Sequence, residues 1–273
     1  MLIRDNRAGK FNKCMEDYLC EVKIRMNNYY GELCTRLYEV DKSSANRKEL
    51  EFYLSFVKEQ NMKVLEPMCG NGRMLLPFMQ QGIDIEGFDI SKDMLKACIE
   101  KSERINLKPN VWYQNIEDFK SNKKYDLVII PFGSFSLLAD DVAVKSLRNM
   151  KAVLKDDGKL LLTIIKKKNE IEELSDWTET NRVSFNKETV IVYKKSFYDK
   201  RTSLLNTKIR YELLQSGEIK KVEMMDFPLR FYGPGEFESI LNSNGFNNFT
   251  IHEVKDGYGE GISFYVYECG TSI

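Results

Sequence analysis

The spacing of apolar residues changes along the chain, and each change marks a new kind of element. Across residues 11–38 apolar positions recur at helical intervals, with charges between them and no proline, which predicts a helix. A second helix is expected over 45–60, with Ser43 or Ser44 as its cap. The period then shortens. KVLEPMC (63–69), DIEGFDI (84–90), VWYQNI (111–116), YDLVIIPF (125–132) and KLLLTII (159–165) read as short strands, with helical patterns at 72–82, 91–105 and 140–154 between them. The stretch from Glu117 to Lys124 is too short for a long crossover helix. Buried strands alternating with helices form a parallel sheet covered on both faces, an α/β fold.

Beyond Lys168 apolar and polar residues alternate by two, with turn residues at Asn186-Lys187 and Ser216-Gly217. This predicts an antiparallel β insertion. GPGEFESILNSNGF (233–246) reads as a last helix with Pro234 just inside its start and Gly245 as its stop. FTIHEVK (249–255) and ISFYVYEC (262–269) are closing strands. The chain thus divides into an N-terminal helical cover (1–62), a core (63–168 and 233–273) and a β insertion (169–232). The insertion could roof a pocket, form a homodimer through an unpaired edge strand, or both.

Composition narrows the chemistry. Among 273 residues, 41 Lys+Arg balance 41 Asp+Glu, which disfavours a surface built to grip nucleic acid. A hydrophobic fraction of 42% is enough to bury a core. His252 is the only histidine, so triads and histidine-rich metal sites would have to share it; no metal is expected. Placed in a closing strand, it reads as an ordinary strand residue. Cysteines at 14, 20, 34, 69, 98 and 269 form no CxxC pair, the N-terminus is charged, and no apolar run could span a bilayer. A reduced, cytoplasmic protein away from membranes is the expectation.

Chemistry concentrates in VLEPMCGNGR (64–73), where a strand meets Gly70 and Gly72 and a helix leaves the turn. Glycines there let the backbone approach a ligand, and a helix start presents free N–H groups. Asp89 ends the next strand, 19 residues beyond Gly70, close to the spacing at which a carboxylate receives ribose hydroxyls. Glu117 and Asp118 fall at the same carboxyl edge. A dinucleotide site would need a third glycine, and Leu75 stands in its place. Glu66 would repel a pyrophosphate but suits a cationic amino-acid end. Together these favour an adenosine cofactor with a sulfonium or ammonium and no pyrophosphate.

With these motifs in order, residues 63–165 resemble a class I S-adenosylmethionine-dependent methyltransferase of the small-molecule "methyltransferase domain 25" type. LEPMCGNGR, GFDIS with KDML, NIEDF, YDLVIIPFGSF and LKDDGKLLLTI carry the likeness. It implies a Rossmann-like, seven-stranded, doubly wound sheet with a reversed last strand. It also implies S-adenosyl-L-methionine as cofactor and S-adenosyl-L-homocysteine as product. By the same resemblance Glu66, Gly70 and Gly72 would line the methionine end, with Arg73 reaching the methionine carboxylate. Asp89 would hold the ribose, with Ile90 against the adenine. Asp118 would meet the adenine amino group beside Ile116, Glu117 and Phe119. Pro131 and Phe132 would offer backbone near the sulfonium, and Tyr38 in TRLYEVDK would cover the cofactor. Tyr29 and Tyr30 read as core tyrosines, and Cys69 as a small buried filler.

No catalytic residue is assigned, because methyl transfer from a sulfonium depends on positioning and desolvation more than on proton transfer. Arg182, Arg230 and Tyr232 are candidates for an acceptor pocket. The reading is methyl transfer to a small molecule, with nitrogen one acceptor atom. The alternatives are RNA or protein methylation, which IPFGSF after strand four does not favour for base amines, and cofactor binding without transfer.

Overall fold

A computed structural model of the chain describes residues 23–27, 29–167, 170–258, 261 and 263–270. After β1 (Lys23–Asn27), α1 (Glu32–Asp41) and α2 (Arg47–Leu54), strands and helices alternate. They are β2 (Lys63–Pro67), α3 (Leu75–Gln80), β3 (Asp84–Asp89), α4 (Lys92–Arg104), β4 (Asn110–Tyr113), β5 (Tyr125–Ile130), α5 (Asp140–Val153) and β6 (Leu154–Ile165). A meander of β7 (Leu174–Phe185), β8 (Glu188–Asp199), β9 (Leu204–Gln215) and β10 (Glu218–Arg230) follows. The chain closes through α6 (Glu236–Ser243), β11 (Asn248–Val254) and β12 (Phe264–Gly270).

Seven strands form one sheet in the order β11-β12-β6-β5-β2-β3-β4. From β6 to β4 the pairs are parallel, whereas β12 runs antiparallel to both β6 and β11. The apolar runs explain the layers. Within β5, Val128 and Ile130 enter the cluster under α5 and α6, while Leu127 and Ile129 enter the opposite cluster under α2 and α3. A strand buried on both faces needs apolar residues at every position, and helices on each side supply the cover. The chain order reverses between β2 and β5, which opens a crevice at the carboxyl ends of those strands.

Two of the helices near that crevice, α4 and α2, begin at side-chain caps. Ser91 accepts from the Met94 N–H at 3.1 Å, with Asp93 in the first turn of α4 and Lys101 and Arg104 in its last. α2 is capped by Asn46, which accepts from the Lys48 N–H at 2.9 Å, and not by Ser43 or Ser44. The Ser43 carbonyl instead accepts from the Lys101 ammonium, tying the α1–α2 loop to α4. Pro234 stands before the α6 cap, Gly235, and not inside the helix.

The insertion is a second sheet, in the order β1-β10-β9-β8-β7. Its two-residue turns carry Asn186 and Ser216 at positive φ (51° and 52°). β1 corrects the helix predicted over 11–38: residues 23–27 pair parallel with β10, Lys23 opposite Lys221. VKIRMN also alternates by two, a strand signal that the broader helical spacing had masked. Residues 32–38 of the predicted helix do fold as helix, within α1, while residues 1–22, with its start and with Cys14 and Cys20, lie outside the described residues. α1 packs Leu33, Cys34 and Leu37 against Val190, Val192, Ile209 and Tyr211 of the insertion. Cys34, Cys69, Cys98 and Cys269 are free and buried. Among the described residues no helix is long and apolar enough to cross a membrane.

Candidate active site

Four strand ends make the floor of an apolar-lined cavity of about 240 Å³. β2 delivers Glu66 and then a strained turn, with Met68 at φ 59° and Gly70 at φ 53°. From β3 come Asp89 and Ile90; after β4 come Gln114, Asn115 and Ile116. Past β5, Phe132 also sits at positive φ, 60°. Two bulky residues in the left-handed region, on neighbouring strand ends and against one cavity, mark where packing holds the backbone in shape for a ligand.

The two glycines of the turn separate into different roles. Gly70 lines the cavity, and a Cβ there would meet nothing within 4 Å. Gly72 faces away from it, where a Cβ would lie 2.5 Å from the Cys98 sulfur on α4. Gly70 admits a ligand, while Gly72 admits a helix.

Asp89 is fixed before any ligand arrives. Its carboxylate accepts from the Gly70 N–H at 2.8 Å and from the Ser91 N–H at 2.7 Å, one on each oxygen. Burial pushes its pKa up, against those two hydrogen bonds. Glu66 is 2% exposed, and one of its carboxylate oxygens has no hydrogen-bond partner. Burial drives its pKa well above the usual carboxylate range, with nearby Arg73 pulling it back. Arg73 itself pairs with buried Glu49 at 2.5 Å and lies 4.2 Å above the Phe132 ring. Such a cation–π contact is worth about 0.5–2 kcal/mol, and it ties Arg73 to the β5 end.

The roof comes from α1, the segment before it and the insertion. Tyr29, Tyr30 and Tyr38 line it, joined by Met225, Asp226, Phe227 and Pro228 of β10. Tyr30 stands edge-on to Tyr38 (centroids 5.8 Å apart) and to Phe227 (6.4 Å). The Ser91 hydroxyl donates to the Tyr30 carbonyl at 2.6 Å, linking this segment to the floor. Gly31, at the start of α1, offers no side-chain cap; Glu223 of β10 accepts the Leu33 N–H at 2.8 Å instead. Roof helix and insertion are thereby one unit.

Of the residues expected at the cofactor, Tyr38, Glu66, Gly70, Arg73, Asp89, Ile90, Ile116 and Phe132 are brought to this cavity. Gly72, Glu117, Asp118 and Pro131 are not among its lining. Glu117 is engaged by Lys145 at 3.1 Å and by Asn115, and Asp118 is exposed. The acceptor candidates also lie elsewhere. Arg182 is exposed on β7 and paired with Glu179 at 2.8 Å. Arg230 is buried and clamps Asp140, at 2.8 Å, and Glu236, joining the starts of α5 and α6. Tyr232 packs on Phe237 at 4.7 Å between ring centroids, inside the core. His252 meets Glu268 at 3.0 Å on the β11–β12 hairpin, away from the cavity. Asn115 and Ser134 fall inside the NIEDF and IPFGSF motifs without having been singled out, while Gln114, Leu137, Leu138, Met225, Asp226, Phe227 and Pro228 carry no motif, and sequence reasoning passed over them.

Comparison with known proteins bears on this arrangement. Residues 64–158 match the family described as Methyltransferase domain. A stretch of 103 residues is 25% identical to a protein from Geobacillus sp. (strain WCH70) named as a methyltransferase. It covers 37% of this chain, and this chain spans 42% of that relative's length. An S-adenosylmethionine-dependent methyltransferase from Clostridium acetobutylicum ATCC 824 superposes with a TM-score of 0.66 at 18% identity, over 97% of this chain and all (100%) of that one. The sugar N-methyltransferase KedS8 from Streptoalloteichus sp. ATCC 53650 gives 0.65 at 17% identity, over 85% and 91%. At such identities the structural likeness is one of fold. Residues 64–158 thus match a methyltransferase-domain family, and the seven-stranded sheet that carries them has the fold of the methyltransferase structures it resembles.

Proposed function

We propose that this chain transfers a methyl group from S-adenosylmethionine to a small-molecule acceptor, and that the acceptor atom is nitrogen. The observation that carries the reading is the unpartnered oxygen of buried Glu66 in the same cavity as Asp89. A buried carboxylate without a partner is costly, and a cationic ligand removes that cost. A cofactor with an ammonium at one end and two ribose hydroxyls at the other fits Glu66 and Asp89, whereas a pyrophosphate would face two carboxylates. The cofactor supplies an activated methyl group on a sulfonium. Asp89, already oriented by Gly70 and Ser91, has lone pairs left to accept the hydroxyls. Arg73 and Phe132 brace the β5 end, and the tyrosine-lined roof covers the cofactor end of the cavity.

Two features support a small acceptor over RNA. The cavity is roofed by α1 and β10, and three carboxylates line it (Glu66, Asp89 and Asp226), a poor setting for a polyanion. The test is release of S-adenosylhomocysteine when the protein and S-adenosylmethionine meet a small-molecule extract, total RNA or a protein extract. Release with the small-molecule fraction alone is expected. Release with RNA or protein alone would overturn the acceptor class, and tight cofactor binding with no release from any fraction would overturn transfer.

A further inference from the structure

The insertion contributes one charge to the cavity wall. Asp226 lines it from β10, is exposed to solvent, and makes no hydrogen bond or ion pair with the described residues. The cation that lines the same space, Arg73, is already paired with Glu49 and covers Phe132. Glu66 and Asp89 belong to the cofactor end, so Asp226 is the charge that faces the remaining volume. Around it stand aromatic and apolar side chains: Tyr29, Tyr30, Met225, Phe227 and Pro228. A lone carboxylate in an aromatic wall is the arrangement that recognises a cation, through a charge-assisted hydrogen bond and through ring faces. It would repel a carboxylate or phosphate.

We propose that Asp226 is the acceptor-binding carboxylate, and that the acceptor is an aliphatic amine bound as its ammonium, with its carbon skeleton against the β10 wall. This rests on reading the cavity as the site of methyl transfer. Arg182 and Arg230, the charged residues expected at an acceptor pocket, do not line the cavity. The ammonium gives one proton to the water that reaches Asp226, and the carboxylate keeps an N–H···O bond to the neutral amine. The nitrogen lone pair then forms the N–C bond as the S–C bond breaks, leaving that electron pair on sulfur. The product is an N-methylammonium, again a cation.

The test compares wild-type protein with Asp226→Asn, each saturated with S-adenosylhomocysteine. Both are titrated with cyclohexylamine, cyclohexanol and cyclohexanecarboxylate by ligand-observed NMR. Cyclohexylamine is expected to bind the wild type in preference to the other two, and to weaken by about tenfold in Asp226→Asn, the loss of one charge-assisted hydrogen bond. S-adenosylhomocysteine affinity and thermal midpoint stay unchanged in the variant, which excludes misfolding. Equal amine binding by both proteins, or preference for the carboxylate, overturns the assignment. If wild type fails to bind S-adenosylhomocysteine, the cofactor reading falls; the same amine titration on the free protein still decides the role of Asp226.

Discussion

The floor and the roof of the cavity are built by different means. The floor is backbone geometry: strand ends, two bulky residues at positive φ and a carboxylate already held by two N–H groups. The roof is side-chain packing between α1 and the second sheet, with Glu223 joining them over a separation of 190 positions. The floor is therefore rigid and chemically general, suited to a ligand shared by many enzymes. A roof carried by an insertion can change its lining without disturbing the sheet beneath. The difference teaches where specificity resides in this molecule.

That contrast can be broken from the roof side first. Leu33, fully buried between α1 and the insertion, should cost about 3 kcal/mol when replaced by Ala. The loss is expected as a lower midpoint in chemical denaturation, and a change below about 1 kcal/mol would mean that the roof is not packed as described. On the floor, Asp89→Ala should weaken S-adenosylmethionine binding by about 100-fold, the loss of two charge-assisted hydrogen bonds of about 1.5 kcal/mol each. Calorimetry measures it, and unchanged affinity would sink the ribose assignment.

Glu66→Gln is a subtler probe, with an effect of about tenfold on cofactor affinity. Its sign with pH follows from burial. The Glu66 carboxyl is raised in the free protein, so folding retains a proton that the unfolded chain releases above the ordinary carboxylate range. This group's contribution to stability is present at low pH and is lost as pH rises through the raised value. A cationic ligand favours the ionised form, so cofactor affinity should climb with pH across the same window. In Glu66→Gln both slopes flatten, and the free protein at neutral pH becomes more stable than wild type. The smallest effect is expected from Arg182→Ala: steady-state methyl transfer within about twofold of wild type, because exposed ion pairs contribute little and this one is remote from the cavity.

What the sequence revealed follows the same division. Glu66, Gly70, Arg73 and Asp89 were legible because a β–α turn and an acidic strand end are local signals, readable within a few residues. So was a parallel sheet, from apolar runs alternating with helical periods, whereas its seven strands and reversed last strand were implied by the family resemblance. Gly72 shows the limit: a positive φ of 72° is visible as a glycine, but the contact that requires it is with Cys98, on another helix. Arg230 read as an acceptor residue because it precedes the last helix; its real partners, Asp140 and Glu236, meet it only after folding. Asp226 reaches the cavity through the pairing of β10 with β9 and β1, a register no local pattern encodes.

The Glu223 cap has a consequence for how the molecule is made. The first helix of the described chain lacks a local partner for its Leu33 N–H until β10 exists. During synthesis from the N-terminus, the strand ends of the floor up to Ile165 emerge while the roof helix still waits for residues beyond 218. Ribosome-bound chains stopped near residue 200 should expose α1 to protease, and chains extended past β10 should protect it.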